Sequence, residues 1–131
     1  MKIMFVSAAN STHTVRWVNA LAERGHEVYL VSNRGHEPKE DALNSRVKLY
    51  LMKHSGGKGY YLNAGELRKI AKRINPDVIN VHYASGYGTL ARKARLPKYI
   101  LSVWGSDVYD FPYESRVKNH ILKRNVRSAS Y

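Results

Sequence analysis

Three observations in the sequence predict an α/β fold with a doubly wound, all-parallel sheet and helices on both faces. Short apolar runs of strand length alternate with segments whose apolar residues recur at helical spacing, an order that gives parallel strands joined by right-handed crossovers. The first such unit closes within about 32 residues, the length of one strand–helix–strand motif. No cysteine is present in the 131 residues, so the chain rests on an apolar core, for which 44% hydrophobic residues are ample.

The elements follow in order. Residues 2–8 (KIMFVSA) form a buried strand. This run is too short for a secretory leader and lacks a small-residue cleavage site behind it. Asn10, Ser11 and Thr12 are helix N-cap types, and Val15, Val18, Leu21 and Ala22 continue at helical spacing. Gly25 stands where a helix C-cap glycine belongs, and residues 27–32 (EVYLVS) make the second strand. Residues 46–52 alternate as a third strand near the sheet edge. Residues 53–62, glycine-rich and polar, read as a mobile loop. Asn63 with Glu66 three residues on reads as a capping box for a helix carrying the stripe Leu67, Ile70, Ala71, Ile74, which Pro76 stops. Residues 77–82 form the fourth strand, 86–95 a short helix with a basic end, and 98–103 the fifth strand. A last helix runs from Pro112 to about Arg127, and the chain stops at Ser128-Ala129-Ser130-Tyr131, where another strand is expected to begin. No stretch approaches the roughly 18 apolar residues of a membrane span.

The charge is uneven. Lys and Arg total 22 against 10 acidic residues, a formal net charge of +12, and most of the bases follow residue 66. Such an excess suits a polyanionic neighbour, either an acidic membrane surface, nucleic acid or an anionic substrate; solvated helix faces give the same composition.

In the strand order 3-2-1-4-5, ligands bind beyond the carboxyl ends of the strands, at the switch point between strands one and four. Three polar or aromatic clusters fall on that rim: Ala9-Asn10-Ser11-Thr12-His13, His82-Tyr83-Ala84-Ser85-Gly86, and Trp104-Gly105-Ser106-Asp107. Their convergence is the argument for a site. Each residue has two readings. Ser11, Thr12 and His13 either cap a helix or hold an anion or sugar hydroxyl. Arg16, one turn on, faces the cleft or solvent. His82 is a structural histidine or a hydrogen-bonding or basic group. Asp107 ties its own turn or meets an acceptor hydroxyl. Trp104 is core or a platform for a sugar ring.

Several chemistries are excluded. No glycine precedes Gly25, so the close backbone approach that a dinucleotide pyrophosphate needs is missing, and no NAD, FAD or other cofactor is expected. Gly56-Gly57-Lys58-Gly59 lacks the Ser or Thr and the earlier glycine of a phosphate loop. Asp107 and Asp110 have no third ligand in view, so no metal is expected. There is no nucleophile elbow, and none of the usual nucleic-acid motifs accompanies the basic charge.

The quoted residues, taken together, resemble a family. The opening Lys2-Ile3-Met4-Phe5-Val6, Ser11-Thr12-His13 with Arg16-Trp17, Arg24-Gly25-His26-Glu27-Val28, Pro76-Asp77-Val78-Ile79, His82-Tyr83 and Ser102-Val103-Trp104-Gly105-Ser106-Asp107 are similar, in order and over essentially the whole chain, to the amino-terminal domain of retaining GT-B glycosyltransferases of family 4. The resemblance implies one half of a two-domain enzyme. Residues 1–131 would bind the acceptor, a sugar or lipid-linked molecule. A carboxy-terminal domain of the same chain, absent here, would bind the nucleotide-sugar. Transfer would retain anomeric configuration and need no metal, with His82 and Asp107 as catalytic residues and Ser11, Thr12, His13, Arg16, Tyr83, Trp104, Gly105 and Ser106 around the substrate. The family's pair of glutamates separated by seven residues does not occur among residues 23, 27, 37, 40, 66 and 114, which fits a truncated half that is inactive alone. Relatives often serve cell-surface polysaccharide synthesis, which places the chain in the cytoplasm or peripherally at the inner face of the cell membrane. The alternative class is a basic Rossmann-like module that docks on anionic membrane or nucleic acid without catalysis.

Overall fold

A computed structural model describes residues 1–131. Five strands, β1 (Lys2–Val6), β2 (Glu27–Asn33), β3 (Lys48–Met52), β4 (Val78–His82) and β5 (Ile100–Ser102), form one parallel sheet in the order β3-β2-β1-β4-β5. Seven helices connect or follow them: α1 (Thr12–Glu23), α2 (Gly56–Leu62), α3 (Ala64–Ile74), α4 (Gly86–Ala94), α5 (Ser106–Tyr109), α6 (Phe111–Glu114) and α7 (Arg116–Ser128). The expected Rossmann-like doubly wound sheet is the observed one.

Strand pleating divides the core in two. Met4 and Val6 of β1 join the larger cluster with Leu67, Ile70 and Ile74 of α3 and Leu90 and Ala94 of α4. Ile3 and Phe5 point the other way, onto Val18 and Ala22 of α1. Every second residue therefore serves one face, and each buried Val, Leu or Ile removed from water contributes roughly 1.5–3 kcal/mol. Gly25 ends α1 as expected. Its φ of 91° lets Gly25 N donate to Ala22 O and His26 N to Leu21 O, the paired bonds of a Schellman cap.

Three expectations need correction. The segment 53–62 is not a loop, because α2 occupies Gly56–Leu62. Tertiary packing outweighs the poor helix propensity of its glycines. A Cβ on Gly59 would stand 2.7 Å from the His54 carbonyl oxygen, so only glycine allows this approach. Tyr60 meets Tyr87 edge-on at 5.2 Å between ring centroids. Asn63 is wholly buried and does not cap α3 with its side chain. It accepts from His54 N at 3.0 Å and donates to His54 O and Asn33 Oδ1, each at 2.8 Å, while Glu66 accepts from Lys53 N instead of closing a capping box. The last helix is also broken. Pro112 lies in the first turn of the short α6, and α7 starts afresh at Arg116, where the Ser115 hydroxyl accepts from Lys118 N at 3.1 Å. Beyond α7, Ser130 N donates to Tyr99 O and Leu101 N to Tyr131 O, so the final residues lie along β5.

Candidate functional site

The carboxyl ends of β1, β4 and β5 bring their three loops onto one rim, which holds two openings. The first is a crevice of about 290 Å³ on the α4 side, lined by Asn10, Ser11, His36, Tyr60, Tyr83 and Ser85 among others. The second is a groove on the α1 side made of two adjoining hollows. One, about 430 Å³, is lined by Trp17, Asn80, His82, Ser102, Val103 and Trp104. The other, about 410 Å³, is lined by His13, Arg16, Trp17, Ala20 and Trp104. A cavity of about 450 Å³ lies at the opposite end of the sheet, beside Ile79 and Arg95. There Arg68 donates to Ala94 O and Lys93 O and so ties off the carboxyl end of α4, a structural task.

His82 ends β4 with 1% exposure. Phe5 packs edge-on at 5.4 Å and Trp104 tilts over it at 5.3 Å. Its Nδ1 is buried without a hydrogen-bond partner. Burial, with His13 adding repulsion, lowers its pKa from 6.5 to about 4. At neutral pH His82 is therefore an uncharged imidazole, suited to exchanging a hydrogen bond and poorly suited to serving as a base. Trp104 Nε1 is likewise buried and unpartnered, and His13 stacks on the Trp104 ring at 4.4 Å and 16°.

Asp107 answers its two readings in favour of structure. One carboxylate oxygen accepts from Trp104 N at 3.0 Å and Gly105 N at 2.9 Å, the other from Ala84 N at 2.7 Å. The residue is 2% exposed. It fastens the loop after β5 to the loop after β4, and is a positioning residue in this arrangement. The expected reach to an acceptor hydroxyl meets a carboxylate already committed to three backbone donors. Gly105, at φ 123°, and Ser106 shape that same turn and line neither rim opening. Thr12 is exposed on the first turn of α1 and lines neither opening. Ser11 begins α1 through its backbone but makes no side-chain cap, so its hydroxyl is left to the crevice. Arg16 makes no ion pair. Tyr83 holds a left-handed φ of 72°, an arrangement that costs of order 1–3 kcal/mol and clusters at working sites.

The rim also gathers residues that the sequence reading did not single out. Trp17 stands one turn beyond His13 on α1, a relation that helical spacing alone predicts. Asn80 shares the face of His82 by strand alternation, and its Oδ1 accepts from Ser102 Oγ at 2.9 Å. His36 and Tyr60 reach the crevice from the β2–β3 connection and α2, with no local signal. Burial lowers the pKa of His36, whose Nδ1 lies 2.6 Å from the Tyr87 hydroxyl, and burial raises those of Tyr60 and Tyr87.

The sequence profile of the family described as glycosyl transferase 4-like matches residues 2–131. The chain belongs to the glycosyl transferase 4-like family. No curated protein matches its sequence. Among solved structures, one titled glycinamide-RNase-transformylase T from Mycobacterium tuberculosis aligns at a TM-score of 0.51 and 17% identity, over 77% of this chain. This glycosyl transferase 4-like chain spans only 28% of the length of that one. The likeness concerns the α/β fold. A structure of UDP-galactose 4-epimerase aligns at a TM-score of 0.43 and 13% identity, over 65% of this chain and 38% of its own, too loosely to carry an argument.

Proposed function

We propose that the chain is the acceptor-side domain of a glycosyltransferase that moves a sugar from a nucleotide-sugar to a glycan or lipid-linked acceptor in cell-surface polysaccharide synthesis. The rim would face a carboxy-terminal nucleotide-sugar domain of the same protein, and transfer would retain anomeric configuration without a metal. One observation carries this reading within the family. Neutral, buried His82, whose Nδ1 has no partner, lines a groove walled by Trp17 and Trp104. Aromatic faces take the apolar face of a sugar ring, and a few placed polar atoms orient its hydroxyls. In this reading His82 reads a hydroxyl, Asp107 holds the loops that carry Trp104 and Ala84, and Ser11 and Tyr83 serve the neighbouring crevice.

The test is sugar transfer from a panel of labelled nucleotide-sugars, assayed with the product of the whole coding region and with residues 1–131 alone. Transfer by the former and none by the latter is the expected result. In the whole protein, His82→Ala should lower turnover by about 10²-fold, the scale of a lost hydrogen-bonding group in a catalytic site. Efficient turnover by residues 1–131 alone, or full activity in His82→Ala, would overturn the assignment.

A second reading, docking on an anionic membrane surface, is favoured by one further observation. Tyr109, Tyr113 and Val117 are 75%, 84% and 69% exposed beside Arg116 and Lys118, and α7 adds Lys123, Arg124 and Arg127. Exposed aromatics flanked by bases suit a headgroup layer. No helix is long and apolar enough to cross a membrane. Co-sedimentation should follow phosphatidylglycerol vesicles and not phosphatidylcholine ones, and should weaken at least about tenfold at high salt. Equal binding to both lipids would dismiss the electrostatic account.

A further inference from the structure

The groove on the α1 side is built for more than a neutral sugar. Its walls are the only two tryptophans of the chain, Trp17 and Trp104. Trp17 is 53% exposed, so its ring is not consumed by the core. The floor is polar. Of the residues that line it, His82 and Trp104 keep a buried ring nitrogen, Nδ1 and Nε1, without a partner, and Asn80 Oδ1 accepts from Ser102 Oγ. A buried nitrogen left unpaired costs about 1–3 kcal/mol, a cost that a ligand bearing oxygens removes. An apolar helix laid over this face would instead seal those atoms in.

The charge around the groove has one sign. Arg16 of α1 is the one formal charge in its lining, with the imidazole of His13 one turn earlier and the neutral imidazole of His82 on β4. No carboxylate lines either hollow, and Asp107 on α5 spends both oxygens on backbone donors. Arg16 has no acidic partner, and its planar fork matches a carboxylate or phosphate in a way that an ammonium does not. His13, stacked on Trp104, sets a second nitrogen-bearing ring at the mouth.

We propose that this groove binds a saccharide carrying an anionic substituent, a carboxylate or a phosphate, with the sugar ring between Trp17 and Trp104 and the anion at Arg16 and His13. The proposal rests on the glycosyltransferase reading and narrows its acceptor to an acidic glycan.

Because both tryptophans line the groove, intrinsic tryptophan emission of the chain reports on it directly. The probes are a glucuronic-acid-containing tetrasaccharide, the same molecule with its carboxylates methyl-esterified, and a phosphorylated neutral tetrasaccharide. Saturable quenching is expected with the uronate or the phosphate, and which of the two binds tells carboxylate from phosphate. The methyl ester should bind at least about tenfold more weakly, and Arg16→Ala, an exposed position, should weaken the anionic ligand by about tenfold with unchanged circular dichroism. Equal binding of the ester and the uronate, insensitive to Arg16→Ala, would overturn the acidic class and leave a neutral acceptor for the glycosyltransferase. Absence of quenching by all three probes in the folded chain would overturn the groove as a saccharide site. The transfer assay then judges the parent reading separately.

Discussion

Asp107→Ala lowers the free energy of unfolding by about 3–5 kcal/mol, the expected result of stranding three backbone donors at once. Ala84 N, Trp104 N and Gly105 N all donate to this carboxylate, at 2.7, 3.0 and 2.9 Å, in a place where the residue is 2% exposed. Hydrogen bonds to a charged acceptor are worth about 1.5–3 kcal/mol each, and of the donors left behind Ala84 N is buried while Trp104 N and Gly105 N are half-buried. Asn125 braces the same region from α7, donating to Ala84 O at 2.7 Å and to Thr89 Oγ1 at 2.8 Å, so the loop has a second tether and the loss stays local. Asp107→Asn separates the two oxygens. Its remaining oxygen can still receive Trp104 N and Gly105 N, while its amide group meets Ala84 N donor to donor, so about half the loss is expected. Urea unfolding followed by circular dichroism measures all three proteins. A loss under about 1 kcal/mol for the alanine variant, together with lost saccharide quenching, would reverse the assignment and return Asp107 to the acceptor.

The sheet was legible because its signals are local and redundant. Lys2–Val6, Glu27–Asn33 and Val78–His82 are apolar runs too dense for anything but buried strands, and Gly25 marks the end of α1 by the one conformation it alone adopts cheaply. The usual doubly wound order 3-2-1-4-5 is the observed one, so the rim could be located before any side chain was placed. The helix at Gly56–Leu62 could not be read in the same way. Its stability comes from Tyr60 against Tyr87, and from Asn63 reaching Asn33, thirty positions away. Contacts of that separation leave no periodicity in the segment itself. The candidate site divides along the same line. His82, Trp104 and Ser11 could be placed on the rim in advance because strand ends and helix starts are visible in sequence. Helical spacing from His13 and strand alternation with His82 point to Trp17 and Asn80, whereas nothing local points to His36, whose meaning lies in what stands opposite it. Asp107 kept two readings in sequence, since a carboxylate near a turn looks the same whether it serves a substrate or three backbone amides; the bonds to Ala84 N, Trp104 N and Gly105 N are what the structure adds.

Acid should destabilise the chain through His82 in a defined window. The folded-state pKa of about 4 lies below the ordinary 6.5, because burial among Phe5 and Trp104 disfavours the imidazolium and His13 adds repulsion. The unfolded chain therefore binds the proton that the folded one refuses. Above about pH 6.5 neither state is protonated at this residue and its contribution is fully present. As the pH falls from about 6.5 to about 4 the unfolded state alone gains a proton, and stability is lost progressively. Below about 4 both states are charged and the loss levels off. A separation of that size corresponds to about 3 kcal/mol. His82→Gln keeps a neutral polar side chain of similar reach and cannot charge, so its unfolding free energy should be flatter than the wild type's over the same interval. Urea unfolding at pH 7.5, 5.5 and 4.5 decides the matter. Parallel losses in wild type and His82→Gln would assign the acid sensitivity to other groups and would mean that the imidazole of His82 has access to water. In that case its orphaned Nδ1 would already be satisfied by solvent, and the drive for a sugar hydroxyl to replace that water would be correspondingly weaker.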